Sequence, residues 1–174
     1  MSHYFTNDIN LKHNVDKKNV VINGKEFTFF TDNGVFSKKG LDFGTRTLLE
    51  SLPEDLKGDI LDFGCGYGPI GIYLKKSYDC EVDMLDINER SVSLAKKNAD
   101  LNNAKVNIFL SDIYSNVNKK YDLVAIIQEE WEKIKEEYIK NIKSGKKYEY
   151  IEIKESKKKN SKNTELQNSV ESIY

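Results

Sequence analysis

Cysteine is nearly missing from this chain: Cys65 and Cys80 are the only two, and they form no C-x-x-C pair. That excludes a disulfide framework and gives no sign of a zinc site, so no metal is expected and both thiols read as core or loop groups of a reducing compartment. No apolar run approaches the ~20 residues that a membrane helix needs. The opening MSHYFTNDIN lacks a charged n-region and an apolar stretch, so no secretory signal and a cytoplasmic location are expected. Charge of either sign is also missing in net terms, because 27 Lys and Arg face 28 Asp and Glu for a sum of -1. Any contact with nucleic acid must therefore rest on a local basic patch. Histidine occurs only as His3 and His13, in a polar N-terminal segment without a Ser or Cys nucleophile nearby, which favours surface roles for both. Proline occurs only at Pro53 and Pro69.

What is present is one domain's length, 174 residues with 39% hydrophobic and 32% charged, enough to bury about 70% of the unfolded surface. Its organising stretch is ILDFGCGYGP, residues 60–69. An apolar strand carries one carboxylate, Asp62, then breaks into Gly64, Gly66 and Gly68 before a helix pattern resumes at Ile70. A doubly wound α/β sheet builds a nucleotide cradle in this way, since glycines let the backbone approach a ligand closely. Asp62 departs from a phosphate site. Its charge would repel a pyrophosphate and suits a ligand with a positive end, such as S-adenosylmethionine with its ammonium and sulfonium. Gly66, Gly68 and Gly71 also spell G-x-G-x-x-G, a weak motif alone, which keeps a nicotinamide cofactor open as a second ligand.

In chain order, residues 1–16 are polar and irregular. Asn19–Asn23 and Lys25–Thr31 flank Asn23-Gly24, a two-residue hairpin signal. Leu41–Arg46 leads into a short apolar helix that Pro53 ends. After the glycine loop the pattern predicts a helix over Ile70–Lys76, a strand over Glu81–Asp86, a helix over Glu89–Asn102 capped by Asn88, and strands over Lys105–Leu110 and Tyr121–Ile127. Strands alternating with helices imply parallel pairing with right-handed crossovers. Beyond Gln128 the spacing predicts an amphipathic helix over Glu129–Lys143 and a strand over Tyr148–Ile153. The Lys/Asn/Ser-rich residues 155–174 are expected to be a disordered tail, so the expected domain is 1–154.

Asp86 ends the strand after the glycine loop, 20 residues beyond Gly66, where a carboxylate can accept both ribose hydroxyls of an adenosyl ligand. Taken alone, an Asp there caps the next helix as readily. Asp112, at the end of the third strand, can accept from an adenine amino group or can simply make a turn. Acids at three successive strand ends are harder to explain as turns than any one of them. Phe36, Asp42, Gly44 and Thr45 precede the sheet, and their plainer roles are core packing for Phe36 and helix capping for Asp42 or Thr45.

The pieces TDNGVFSKKGLDFGTR, LDFGCGYGPIG, MLDINERSVSLAKKN and SDIY, which lie between residues 31 and 114, closely resemble the methyltransferase domain of the bacterial small-subunit ribosomal RNA guanine-N2 methyltransferases and their single-domain relatives, and the resemblance covers roughly residues 4–124. The resemblance implies a Rossmann-like class I S-adenosylmethionine fold in a cytoplasmic protein, expected to be a monomer, whose partner is ribosomal RNA or the small ribosomal subunit. It implies that Asp62, Gly64, Gly66 and Gly68 hold the methionine end, Asp86 the ribose and Asp112 the adenine, with Phe36, Asp42 and Thr45 lining the donor pocket. In that family the fourth strand runs into Asn-Pro-Pro and an Arg-containing loop that hold the target amine. Here Ile127, Gln128 and Glu129 stand in those places. The expected function is methylation of a guanine amine, the alternative a remnant that binds the adenosyl ligand or RNA without turnover, through native divergence or a disrupted reading frame near Ala125.

Overall fold

Asn23 and Gly24 turn the chain back on itself with φ of +47° and +75°, the two positive values that a primed two-residue turn requires. They join β1 (Asp16–Ile22) and β2 (Lys25–Thr31), paired antiparallel from Ile22 opposite Lys25 back to Asp16 opposite Thr31. The structure, a computed structural model, describes residues 12–126 and 151–152. β1 begins three residues before the expected Asn19 because the pairing with β2 continues to Thr31. Phe27, Phe29 and Thr31 alternate onto the buried side of the hairpin, where Phe29 meets Tyr67 edge-on and Phe27 meets Tyr73.

α1 (Phe43–Ser51) follows, with Leu52 extended at ψ 143° just before Pro53, as the residue preceding proline prefers. The remaining elements are β3 (Lys57–Phe63), α2 (Pro69–Ser77), β4 (Asp79–Asp86), α3 (Glu89–Leu101), β5 (Asn107–Leu110), β6 (Leu123–Ile126) and β7 (Ile151–Glu152). β3 to β7 form one parallel sheet in the order β5-β4-β3-β6-β7. The order reverses at β3, so a crevice opens at its carboxyl end, the place where such sheets bind ligands. This is a Rossmann-like α/β fold with an N-terminal hairpin.

Strand alternation sends Ile60, Val82, Met84, Leu123 and Ala125 to one face, where they pack with Leu48 and Leu49 of α1, Ile72 and Leu74 of α2, and Ala95 and Ala99 of α3. Leu61, Phe63, Leu85, Val124 and Ile126 take the other face with Tyr121, against Ile113, Tyr114 and Val117 of the β5–β6 connection. Burial of each large side chain contributes about 1.5–3 kcal/mol.

The hairpin is held to the sheet by asparagines. Asn102 accepts from Thr28 N–H (3.1 Å) and donates to Thr28 C=O (2.7 Å). Asn98, one turn earlier, repeats the pattern on Phe30, at 2.7 and 2.9 Å. Two amide side chains thus satisfy the open edge of β2 as a neighbouring strand would, giving the backbone groups of Thr28 and Phe30 their partners. On the same end, Asp32 is 1% exposed and accepts from Asn14 N–H and Asn33 N–H, with His13 Nδ1 at 2.5 Å. His13 is at the surface as expected, yet it also pins the chain before β1.

Two strands are shorter than expected. β5 starts at Asn107 rather than Lys105, and β6 starts at Leu123 rather than Tyr121, whose hydroxyl donates to Asp83 (2.5 Å). The expected helix over 129–143, His3, the positions of Ile127, Gln128 and Glu129, and the tail after 155 lie outside the described residues. Among the described residues no helix is long and apolar enough to cross a membrane.

Candidate ligand site at the carboxyl edge of the sheet

Gly64, Gly66 and Gly68 have φ of +70°, +56° and +99°. Any side chain in such a run would strain the loop, so the glycines are a backbone requirement here. The loop is gripped from three sides. Gly66 N–H donates to Asp86 Oδ2 (2.8 Å), Cys65 N–H to Leu85 C=O (2.9 Å), and Tyr67 C=O accepts from Asn98 Nδ2 (2.8 Å). At Gly68 a Cβ would come within 2.9 Å of Ile72 and 3.1 Å of Met84, and at Gly71 within 2.6 Å of Met84. These two glycines let α2 lie close on β4. Gly66 is different: nothing stands within 4 Å of the Cβ it lacks.

Asp62 is fully buried on β3, and its Oδ2 accepts from Gly71 N–H at 2.8 Å in the first turn of α2. Its Oδ1 is buried with no hydrogen-bond partner. Burial, with a smaller push from the nearby Asp86, raises this carboxyl to about 7 against the opposing Gly71 N–H. Asp86 ends β4 in register with Leu110 of β5. Its Oδ1 accepts from Asn88 N–H at 2.8 Å, while Asn88, not Asp86, caps α3. Cys65 is no nucleophile, since burial holds its thiol well above the ordinary range.

The other expected residues lie around this centre. Asp42 caps α1, accepting from the buried Thr45's N–H at 2.9 Å, and its charge adds to burial in raising the phenol of Tyr67 in the glycine loop. α1 therefore starts against that loop. Phe36 is half-buried in the 32–37 loop, which hangs on α3 through Asn88 Nδ2 to Gly34 C=O (3.2 Å) and Arg90 to Asn33 C=O (2.8 Å). Asp112 is exposed beyond β5, and its C=O accepts from Ser115 N–H in a turn. Asp86 is thus bonded directly to the loop at Gly66 and Asp62 to Gly71 just beyond it; Asp112 adjoins them only through the strand order. At about 4.8 Å per strand, β3 and β5 are only about 10 Å apart.

Sequence reasoning missed Asn98, although its signal was present: a polar residue beside Ala95 and Ala99 on the apolar stripe of α3. It also missed Ile87 and Leu110, 40% and 39% exposed on either side of Asp86's strand end. Among the described residues no group of His, Cys, Asp and Glu could hold a metal.

A family model, the methyltransferase small domain, matches residues 26–127. The chain belongs to this family. The match contains α1 to β6 and with them the whole constellation from Phe36 to Asp112. Bacillus subtilis YbxB is 42% identical over 128 residues, 72% of this chain and 64% of YbxB. Ribosomal RNA small subunit methyltransferase C of Psychromonas ingrahamii is 39% identical over 59% of this chain and 30% of its own length. In structure the chain resembles the T. thermophilus 16S rRNA N2-guanine methyltransferase solved with AdoMet and guanosine, at TM-score 0.59 and 29% identity over 63% of this chain and 32% of that one. The chain thus spans less than two thirds of these relatives.

Proposed function

We propose that this small-domain methyltransferase holds S-adenosylmethionine at the carboxyl edge of β3, β4 and β5, in the cytoplasm, and that its substrate class is a guanine amine of small-subunit ribosomal RNA. The observation that carries the donor reading is Asp62, a buried carboxylate with one oxygen unpartnered, on the strand that runs into the glycine loop, where nothing stands within 4 Å of the Cβ that Gly66 lacks. A buried carboxylate with one oxygen unpartnered is costly, and a cation placed beside it relieves that cost. The residues fit the group. Asp62 and the turn of Gly64, Gly66 and Gly68 take the methionine end, Asp86 accepts from the ribose, Asp112 from the adenine amine, and Ile87 and Leu110 cover the adenine faces. Phe36, Asp42 and Thr45 close the pocket from the hairpin side. A pyrophosphate fits less well, because the Gly71 N–H that would face it is already given to Asp62.

Bound there, the donor supplies a methyl group on a sulfonium. What the chain must add is orientation: the exocyclic amine has its lone pair spread into the ring, so acceptors for its hydrogens and in-line placement carry the rate. The sequence has Ile127, Gln128 and Glu129 where the family places Asn-Pro-Pro. That favours a second reading, an adenosyl- or RNA-binding protein without turnover. Equilibrium dialysis of the full chain against S-adenosylhomocysteine and reduced nicotinamide cofactor tests the proposal. Retention of the first alone supports it; retention of the second alone overturns it.

A further inference from the structure

Phe43 stands beside the donor site without lining it. It is 73% exposed, the most open large apolar side chain among the described residues. α1 buries Thr45, Leu48 and Leu49. At 3.6 residues per turn Phe43 lies about 200° around the helix from Thr45, so the face that docks α1 turns this ring outward. Its position is fixed, because Asp42 caps the helix through Thr45 N–H and faces Tyr67 of the glycine loop.

The loop leading to it is basic. Lys38 is anchored by its C=O, which accepts from Thr31 Oγ1 at 2.9 Å, and its Nζ donates to Asn33 Oδ1 at 2.5 Å, while Lys39 after it is exposed. The loop folds onto β1 so that a Cβ on Gly40 would lie 3.9 Å from Lys18 Cγ. The acids in this group are Asp16, which pairs with Lys18 at 2.6 Å and also feels Lys38, and Asp42, the cap of α1 directly before Phe43. Lys18, Lys38 and Lys39 therefore gather at the loop that leads into Phe43, against Asp16 and Asp42, in a chain whose overall charge of -1 attracts no polyanion.

We propose that Phe43, Lys39, Lys38 and Lys18 form a docking surface for single-stranded RNA. An unstacked base lies on the Phe43 ring, and the lysines meet the flanking phosphates. Every base has a face that can stack on an aromatic ring, and lysines of this spacing track a backbone without reading sequence. This proposal rests on RNA being the substrate class. It adds where the strand enters: over the start of α1, next to the glycine loop.

The test is fluorescence anisotropy of the full chain with a labelled single-stranded RNA of about ten nucleotides, with S-adenosylhomocysteine calorimetry on the same samples. Phe43→Ala should weaken RNA binding about tenfold or more and Phe43→Tyr should hold it within about threefold. Lys39→Ala should flatten the slope of log affinity against log salt by about one phosphate's worth. All three should keep the unfolding midpoint and the donor affinity, since Phe43 and Lys39 are exposed. RNA affinity unchanged in Phe43→Ala and Lys39→Ala overturns the surface, as does a wild-type chain that takes up the donor and no RNA. A self-associating chain that Phe43→Ala renders monomeric overturns it in favour of a second copy. Loss of donor binding in the wild type is the separate failure of the methyl-donor reading.

Discussion

Asn98 holds Phe30 by both of its backbone groups, accepting from N–H at 2.7 Å and donating to C=O at 2.9 Å, while being fully buried. The same amide nitrogen donates to Tyr67 C=O at 2.8 Å. One side chain on α3 therefore joins the hairpin to the glycine loop. Asn98→Ala should cost about 3 kcal/mol or more, because three backbone groups, one of them buried and two part-buried, lose their partner at once. Urea denaturation of the two proteins measures it. A loss under about 0.5 kcal/mol would mean that water replaces the amide and that the link is not structural.

Asp62 makes stability fall as pH rises. Its folded-state value of about 7 lies above the ordinary 3.8, so the folded protein binds the proton more tightly than the unfolded chain. Its contribution is fully present below about pH 4 and is lost progressively up to about pH 7. Asp62→Asn keeps an acceptor for Gly71 N–H and removes the titration. The variant should gain on the wild type between about pH 4 and pH 8 by up to about 4 kcal/mol. Parallel stability curves for the two proteins over that range would show that Asp62 does not titrate as its burial implies.

Gly66 and Gly24 separate ligand space from backbone strain. Both have positive φ, and neither has an atom within 4 Å of the place a Cβ would take, so alanine at either site should cost about 1–2 kcal/mol in the left-handed conformation. Only Gly66→Ala projects a methyl into the proposed donor space. Its S-adenosylhomocysteine affinity should fall about tenfold or more, roughly 1.4 kcal/mol, while Gly24→Ala binds as the wild type. Equal affinities in the two variants would place the ligand elsewhere.

Methyl transfer should be slow. The groups proposed to hold the donor all lie before β6, whereas the positions after it carry Ile127, Gln128 and Glu129. Loss of amine orientation at about 1.4 kcal/mol per tenfold should leave methylation of unmodified small-subunit RNA at least about a hundredfold below an intact relative. Replacing those three residues with Asn-Pro-Pro should not restore it, because the following Arg loop is also absent. A radiolabelled-methyl assay showing family-like turnover by the unaltered chain would contradict this.

Much of the architecture was legible because its signals are local. Asn23-Gly24 specifies its turn by backbone chemistry, and the glycine loop with Asp62 marks where β3 ends. Asp42 was readable as a cap and is one, with Thr45 three residues on. Long-range polar contacts were not legible. Tyr121 reads as an apolar strand residue, and only the fold shows that its hydroxyl donates to Asp83, 38 residues earlier. Asn98 interrupts the apolar stripe of α3, but nothing in the spacing says that its partner is β2, 68 residues earlier. Asp112 shows the reverse: its spacing suggests a ligand group, and the structure adds a turn at the same residue.

The most direct test is titration calorimetry of S-adenosylhomocysteine into the folded chain, beside Asp86→Ala. One site per chain with a dissociation constant well below millimolar is expected. Asp86→Ala should bind about tenfold or more weakly, since the ribose hydroxyls lose a charged acceptor worth about 1.5–3 kcal/mol. A folded wild-type chain that gives no heat at millimolar ligand would contradict the donor site.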